Sequence, residues 1–236
     1  MGLSRYQGEG HRVAEGSLMT LPLFLTAKNK LHMVVPFFVM GGGAYMLTNH
    51  FQFFTPQLLE MTWLDQMIPL LPASVWIYLS EYPFFLVVYA NIKDYDNANK
   101  YLYSLLSLSF TSALIFAVWP TTYPRDLFPL PADGVDPLTR LAFTILREAD
   151  QPTNCCPSLH VSSVYLSVFL FLDDQKKKLP FFFVWGTLIA ISTMTTKQHY
   201  WVDVVSGFGL AVIFYLVFHR VVRYRRDRPV GAQAKR

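Results

Sequence analysis

Residues 202–219 read Val-Asp-Val-Val-Ser-Gly-Phe-Gly-Leu-Ala-Val-Ile-Phe-Tyr-Leu-Val-Phe-His, with Asp203 the one carboxylate among them. A run this long and this apolar is close to the ~20 residues that carry a helix across a bilayer. Working outward, further apolar runs occupy 31–48, 67–92, 101–119, 160–172 and 179–196. Six spans need about 120 residues. A chain of 236 residues that is 53% hydrophobic, 16% aromatic and 15% charged can supply them, and it is too oily for a typical soluble domain. The predicted fold is all-α: a polytopic membrane protein built as a six-transmembrane-helix bundle.

The run at 160–172 is the shortest and spans only if it begins back near Cys155. Gly41, Gly42 and Gly43 in the first run offer a neighbouring helix close approach. Pro69, Pro72 and Pro83 predict a kinked second span. The polar stretch 1–16 and the lack of a small-residue cleavage site argue against a cleaved signal peptide, so the apolar run 18–25 is expected to lie along the interface. The chain thus divides into an interfacial N-terminal segment 1–30, a membrane domain 31–219 with an outer loop 120–156, and a basic tail 220–236. Phe37, Phe53, Phe84 and Phe181 are expected to face lipid.

The cations sort by side. Arg5, Arg12, Lys28, Lys30, Lys93, Lys100, Lys176, Lys177, Lys178, Arg220, Arg223, Arg225, Arg226, Arg228, Lys235 and Arg236 fall in segments on one side of the six spans. Only Arg125, Arg140, Arg147 and Lys197 fall on the other. Such an asymmetry places the richer side, with both termini, in the cytoplasm. The net charge of +4 therefore reads as a topology signal that also favours anionic lipid, rather than as a nucleic-acid surface.

The poorer side carries the chemistry. Its long connection runs from Pro120 to Asn154, and Leu138, Leu141, Ala142, Ile145 and Leu146 recur in it at helical spacing, which predicts a short amphipathic helix at the membrane surface. Its short connection reads Lys197-Gln198-His199-Tyr200-Trp201-Val202-Asp203. In a helix, His199 and Asp203 would share a face, and the carboxylate would fix the imidazole tautomer and leave the other nitrogen free as nucleophile or base. His160 opens another span on the same side, at similar depth, so a second imidazole can donate a proton to a departing oxygen. Arg125 and Lys197 supply cations for a phosphoryl group. Ser158 reads either as an N-cap for the fourth span or as a substrate contact. Glu81, a carboxylate inside a span, more often pairs with a neighbouring helix than carries chemistry. His32, His50 and His219 read as interfacial or structural. Zinc on Cys155, Cys156, His160 and His199 is disfavoured, because adjacent cysteines are poorly placed for tetrahedral ligation, and adjacent cysteines rarely bridge each other.

Pro157-Ser158-Leu159-His160, followed by Ser192 through His199 to Asp203, resembles the type 2 phosphatidic acid phosphatases (the PAP2 superfamily), known by the motifs K-x6-R-P, P-S-G-H and S-R-x5-H-x3-D on a six-helix core related to vanadium haloperoxidases. The third motif matches in spacing. Leu159 replaces the motif glycine, Thr193 replaces the arginine, Val118 stands where the lysine would be, and Pro124-Arg125 inverts the usual order. These departures resemble the branch of inositol phosphorylceramide synthases and their bacterial relatives. The resemblance, over about residues 65–217, implies His199 as a nucleophile forming a phosphohistidine, Asp203 as its orienting partner and His160 as the acid for the leaving alcohol. It implies Arg125, Ser158 and Lys197 as phosphate ligands, with Lys197 in place of the missing arginine, and neither metal nor cofactor. The expected partners are a lipid phosphate, an alcohol or lipid acceptor and the bilayer, with no nucleic acid. Hydrolysis and transfer to an alcohol share such a site, and a non-enzymatic lipid transporter or scaffold is the remaining alternative.

Overall fold

The computed structural model describes residues 20–226. Its helices are α1 (Lys30–His50), α2 (Trp63–Met67), α3 (Val75–Leu79), α4 (Glu81–Asn91), α5 (Tyr95–Val118), α6 (Pro137–Ala149), α7 (Leu159–Phe169), α8 (Leu179–Thr195) and α9 (Trp201–Leu216). Four short strands pair in parallel, β1 (Thr20–Pro22) with β4 (Arg223–Arg225) and β2 (Gln57–Leu58) with β3 (Thr121–Thr122). Among the described residues, five helical stretches are long and apolar enough to cross a membrane: Lys30–His50, Pro72–Asn91, Tyr95–Val118, Lys176–Thr195 and Trp201–Val221. The fold is therefore an all-α, multi-pass membrane bundle.

The sixth expected span behaves differently. α7 and the 3-10 turn after it contribute 11 and 3 residues, which at 1.5 Å per residue falls well short of a 30 Å hydrocarbon layer. Every residue from Val161 to Val168 is buried, because α7 packs against α4, α5, α8 and α9. A helix shielded from lipid on all sides need not match the bilayer's thickness. It can also hold polar residues: the Ser163 and Ser167 hydroxyls donate to carbonyls one turn back, Leu159 O and Ser163 O, both at 2.7 Å. Phe84 is fully buried in the core around α7, so it does not face lipid as expected, whereas Phe53 and Phe181 are exposed.

The second span is interrupted at Ser80, within the stretch where the prolines predict a kink. Pro83 has no N–H to give the carbonyl four residues back, Leu79, and the helix divides there into α3 and α4. Pro69 and Pro72 lie ahead of both helices. This break leaves Glu81 in the first turn of α4. Of the three glycines in α1 only Gly41 makes a close approach, since a Cβ there would meet Ser109 Oγ of α5 at 3.0 Å while Cβ atoms at Gly42 and Gly43 meet nothing.

The expected interfacial run 18–25 is, over its described part, an extended segment. Residues 20–22 pair with the chain after α9, and the Phe24 and Leu25 N–H groups donate to Asn99 Oδ1 at 3.0 and 3.2 Å. Leu25 is buried. Residues 18 and 19 lie outside the described residues, as do Arg5, Arg12, Arg228, Lys235 and Arg236. The described cations of the richer set gather at one end of the bundle, where Arg220 pairs with Asp173 at 2.7 Å and Arg226 with Asp96. His219 is buried there against Asp173 and Tyr215. Arg125, Arg140, Arg147 and Lys197 lie at the opposite end, with the N-termini of α7 and α9.

Candidate active site

Two turns of chain bring the histidines together. α8 ends in a tight reversal: Lys197 adopts a left-handed conformation (φ 57°), and the Gln198 and His199 N–H groups both donate to Thr193 O, at 2.9 and 3.1 Å. Tyr200 then caps α9, and Asp203, in its first turn, accepts the Tyr200 N–H through Oδ2 at 2.9 Å. The start of α7 is clamped to the same turn, since Ser158 N donates to Asp203 O at 3.1 Å. Gly207 makes that clamp possible, because a Cβ there would lie 2.6 Å from Ser158 O. The N-terminus of α9 is held from outside by Asp65, whose Oδ1 accepts Trp201 N at 2.7 Å.

The result is a chain of imidazoles and carboxylates. His199 Nδ1 lies 3.3 Å from Asp203 Oδ2, and His199 Nε2 lies 3.4 Å from His160 Nδ1. His160 Nε2 lies 2.6 Å from the Tyr78 hydroxyl and 3.8 Å from Glu81 Oε2. Glu81, itself buried, accepts from Ser163 Oγ at 3.4 Å. The expected pairing of His199 with Asp203 is therefore present, but not across one helical face. His199 precedes the helix, and its ring meets a carboxylate already engaged in capping it.

The phosphate-binding candidates are less uniformly placed. Ser158 is the N-cap of α7, accepting Val161 N at 3.3 Å, and is fully buried. The Arg125 guanidinium donates to Asp150 O, pairs with Asp150 Oδ2 at 3.8 Å and lies over the Tyr123 ring at 5.9 Å. Burial alone would lower its pKa, but Tyr123 and Asp150 beside it hold it above the ordinary arginine value. Asp150 also accepts from Tyr45, whose ring stands 6.3 Å from that of His160, so Arg125 reaches the pair through two intervening side chains. Lys197 turns away. Its ammonium donates to Asp65 O at 2.9 Å and Ile68 O at 2.5 Å and lies 4.6 Å from the Phe128 ring. Burial lowers its pKa, opposed by the Asp65 carboxylate, and none of its described contacts reaches either histidine.

Cys155 and Cys156 are free and buried, and burial pushes the Cys155 thiol well above its ordinary value. Tyr123 stacks on Tyr200 at 4.6 Å behind Asp203. Sequence reasoning left out Tyr78, Tyr45, Asp150 and Asp65. Glu81 it did flag, by the cost of a carboxylate in an apolar run. α6 is the expected amphipathic helix, with Leu138, Leu141 and Ile145 exposed and Ala142, Phe143 and Leu146 buried.

The family model described as the PAP2 superfamily matches residues 46–217, a stretch that holds all of these groups except Tyr45. No curated protein matches the chain.

Proposed function

From the premise that the chain belongs to the PAP2 superfamily, a membership that suggests phosphatase or phosphotransferase activity, we propose that it cleaves a lipid phosphate ester through a phosphohistidine on His199. The observation that carries this reading is the contact of two imidazoles, 3.4 Å apart, each with its own carboxylate. Asp203 Oδ2 accepts the N–H of His199 Nδ1, so the lone pair of Nε2 points at the neighbouring ring. That lone pair attacks phosphorus. An N–P bond forms, the bond from phosphorus to the alcohol oxygen breaks, and His160 Nδ1 gives its proton to the departing oxygen. Water or a second alcohol then attacks the phosphohistidine and returns a proton to His160.

An in-line group between the rings needs roughly 7 Å, from a near-attack distance of about 3 Å, a P–O bond of about 1.6 Å and a hydrogen bond of about 2.8 Å. The rings must therefore part on binding, and His160, held by side-chain contacts to Tyr78, Glu81 and Tyr45 and bordering a cavity, has more room to move than His199. Arg125 is the better-supported phosphate ligand, exchanging Asp150 for phosphate oxygens. The N-terminus of α7 behind Ser158 adds a favourable dipole for the anion. No metal enters this sequence of steps. The charge sorting supports a site facing the outer side with both termini cytoplasmic.

A second reading rests on Pro157-Ser158-Leu159-His160 and His199-Tyr200-x-x-Asp203, as in the branch resembling inositol phosphorylceramide synthases. There the phospho-head-group passes to an alcohol such as ceramide or diacylglycerol instead of water. A transporter or scaffold would leave both histidine–carboxylate pairs without a task.

The test uses purified protein and a lipid phosphate labelled in its phosphate. The wild type should label covalently and turn over, and His199→Ala should do neither; retained turnover in that variant overturns the assignment. Adding candidate alcohols separates the two readings, free phosphate marking a hydrolase and a new phospholipid a transferase.

A further inference from the structure

A cavity of about 630 Å³ begins at His160 and runs between α1 and α4 beneath α6, within the roughly 300–1,000 Å³ range of small-molecule sites. His160, Glu81, Tyr78 and Asp150 line it together at one end. Away from them it is mostly apolar, Ser109 excepted, walled by Leu105 of α5 and by Leu141 and Ile145 of α6. The Phe38 and Phe85 rings meet edge-on, centroids 5.7 Å apart, at its far end. Phe38 precedes Tyr45 by two turns of α1, so the cavity extends about 10 Å below the histidine. His199 does not line it.

We propose that this cavity seats one hydrocarbon chain of the leaving alcohol and that Gly42 sets how much chain it admits. The proposal rests on the reading above, in which His160 protonates that alcohol. Of the two histidines only His160 borders the cavity, so its occupant is continuous with the departing oxygen rather than with the phosphoryl group on His199. A polar leaving group such as a sugar would bring hydroxyls against Phe38 and Phe85 with nothing to bond. A hydrocarbon chain fits that lining and reaches it from the bilayer, since Phe38, Met46 and Tyr82 along the cavity are exposed on helices that read as membrane spans.

Gly42 faces this space. A Cβ there meets no atom within 4 Å, whereas Gly41 serves the helix contact with Ser109. The missing side chain at position 42 thus leaves room in the cavity without serving helix packing. Gly43 is equally unhindered but does not line the cavity.

The experiment compares hydrolysis of hexadecyl phosphate and butyl phosphate by wild type, Gly42→Phe and Gly43→Phe in one detergent. The wild type should prefer the long chain. In Gly42→Phe the ratio of kcat/KM for hexadecyl over butyl phosphate should fall at least tenfold, the worth of about two buried methylenes, while Gly43→Phe keeps the wild-type ratio. Should Gly42→Phe fail to fold, Gly42→Val serves with a smaller expected fall, and hexadecanol should in any case inhibit the wild type more strongly than butanol. An unchanged ratio in the Gly42 variants, or an equal fall in Gly43→Phe, overturns the proposal. A wild type that turns over both esters equally overturns the cavity assignment and leaves the His199 reading standing; one that neither hydrolyses them nor is phosphorylated by them overturns the His199 reading and the cavity with it.

Discussion

His199 and His160 face each other across 3.4 Å, yet they are held in opposite ways. His199 is fixed by its own neighbourhood: the Thr193 carbonyl anchors its backbone and Asp203, four residues on, its ring. His160 is fixed by tertiary structure, by Tyr78 82 positions away in sequence and by Glu81 across the break between α3 and α4. The His199 side chain is 4% exposed and that of His160 17%, because only the second borders the cavity. In the proposed mechanism His199 is the nucleophile, which needs one tautomer in one orientation, and a tight turn supplies that. An acid that must admit a phosphoryl group and follow a leaving oxygen needs room, and side-chain partners allow it.

Removing the carboxylate on the rigid side should have the larger effect. In Asp203→Asn an amide replaces the acceptor shared by Tyr200 N and His199 Nδ1. The wrong tautomer of His199 should then cost about 10⁴ in kcat, as when the aspartate of a Ser-His-Asp triad becomes asparagine. Phosphate labelling of the protein should fall in parallel. A loss under about tenfold would remove the distinction between the two histidines.

On the His160 side, Glu81→Gln should cost about tenfold in kcat on alkyl phosphates and little on nitrophenyl phosphate, whose leaving group needs no proton. Steady-state rates on a series of esters would show this as a steeper dependence on leaving-group pKa. Equal losses across the series would mean that Glu81 holds α4 against α7 and does not tune His160.

The same contrast governs what the sequence makes legible. Apolar runs locate the spans to within a few residues, because bilayer thickness imposes a length that composition reveals. Residues 202–219 correspond to Trp201–Val221 and 31–48 to Lys30–His50. The pairing of His199 with Asp203 is legible because it is local, although the turn that produces it is not: the i, i+4 spacing fits a helix, while the chain uses it to cap one. Tyr78 and Asp150 carry no local mark, and only the packing of α3 and α6 brings them to His160 and Arg125. The shortness of 160–172 is visible in the sequence, but its cause is a ring of four neighbouring helices. The pairing of the run before α1 with Arg223–Arg225 carries no local mark either, since the two lie some 200 residues apart and no pattern links them.

Lys197 sharpens the comparison at its smallest effect. If it were a phosphate ligand, Lys197→Met should raise KM or lower kcat by a hundredfold or more, since a cation on a transferring phosphoryl group acts in a site shielded from water. The structure instead spends its ammonium on the carbonyls of Asp65 and Ile68, and Asp65 in turn caps the helix that carries Asp203. The expected outcome is loss of about 1.5–3 kcal/mol of stability, the worth of hydrogen bonds to a charged donor, read from thermal unfolding in detergent. The activity loss should stay below about tenfold and be the same for every ester, because a loosened α9 turn disturbs the nucleophile and not the acid. A hundredfold activity loss with unchanged unfolding would return Lys197 to the phosphate and make the rigid side of the site, not Arg125, the seat of anion binding.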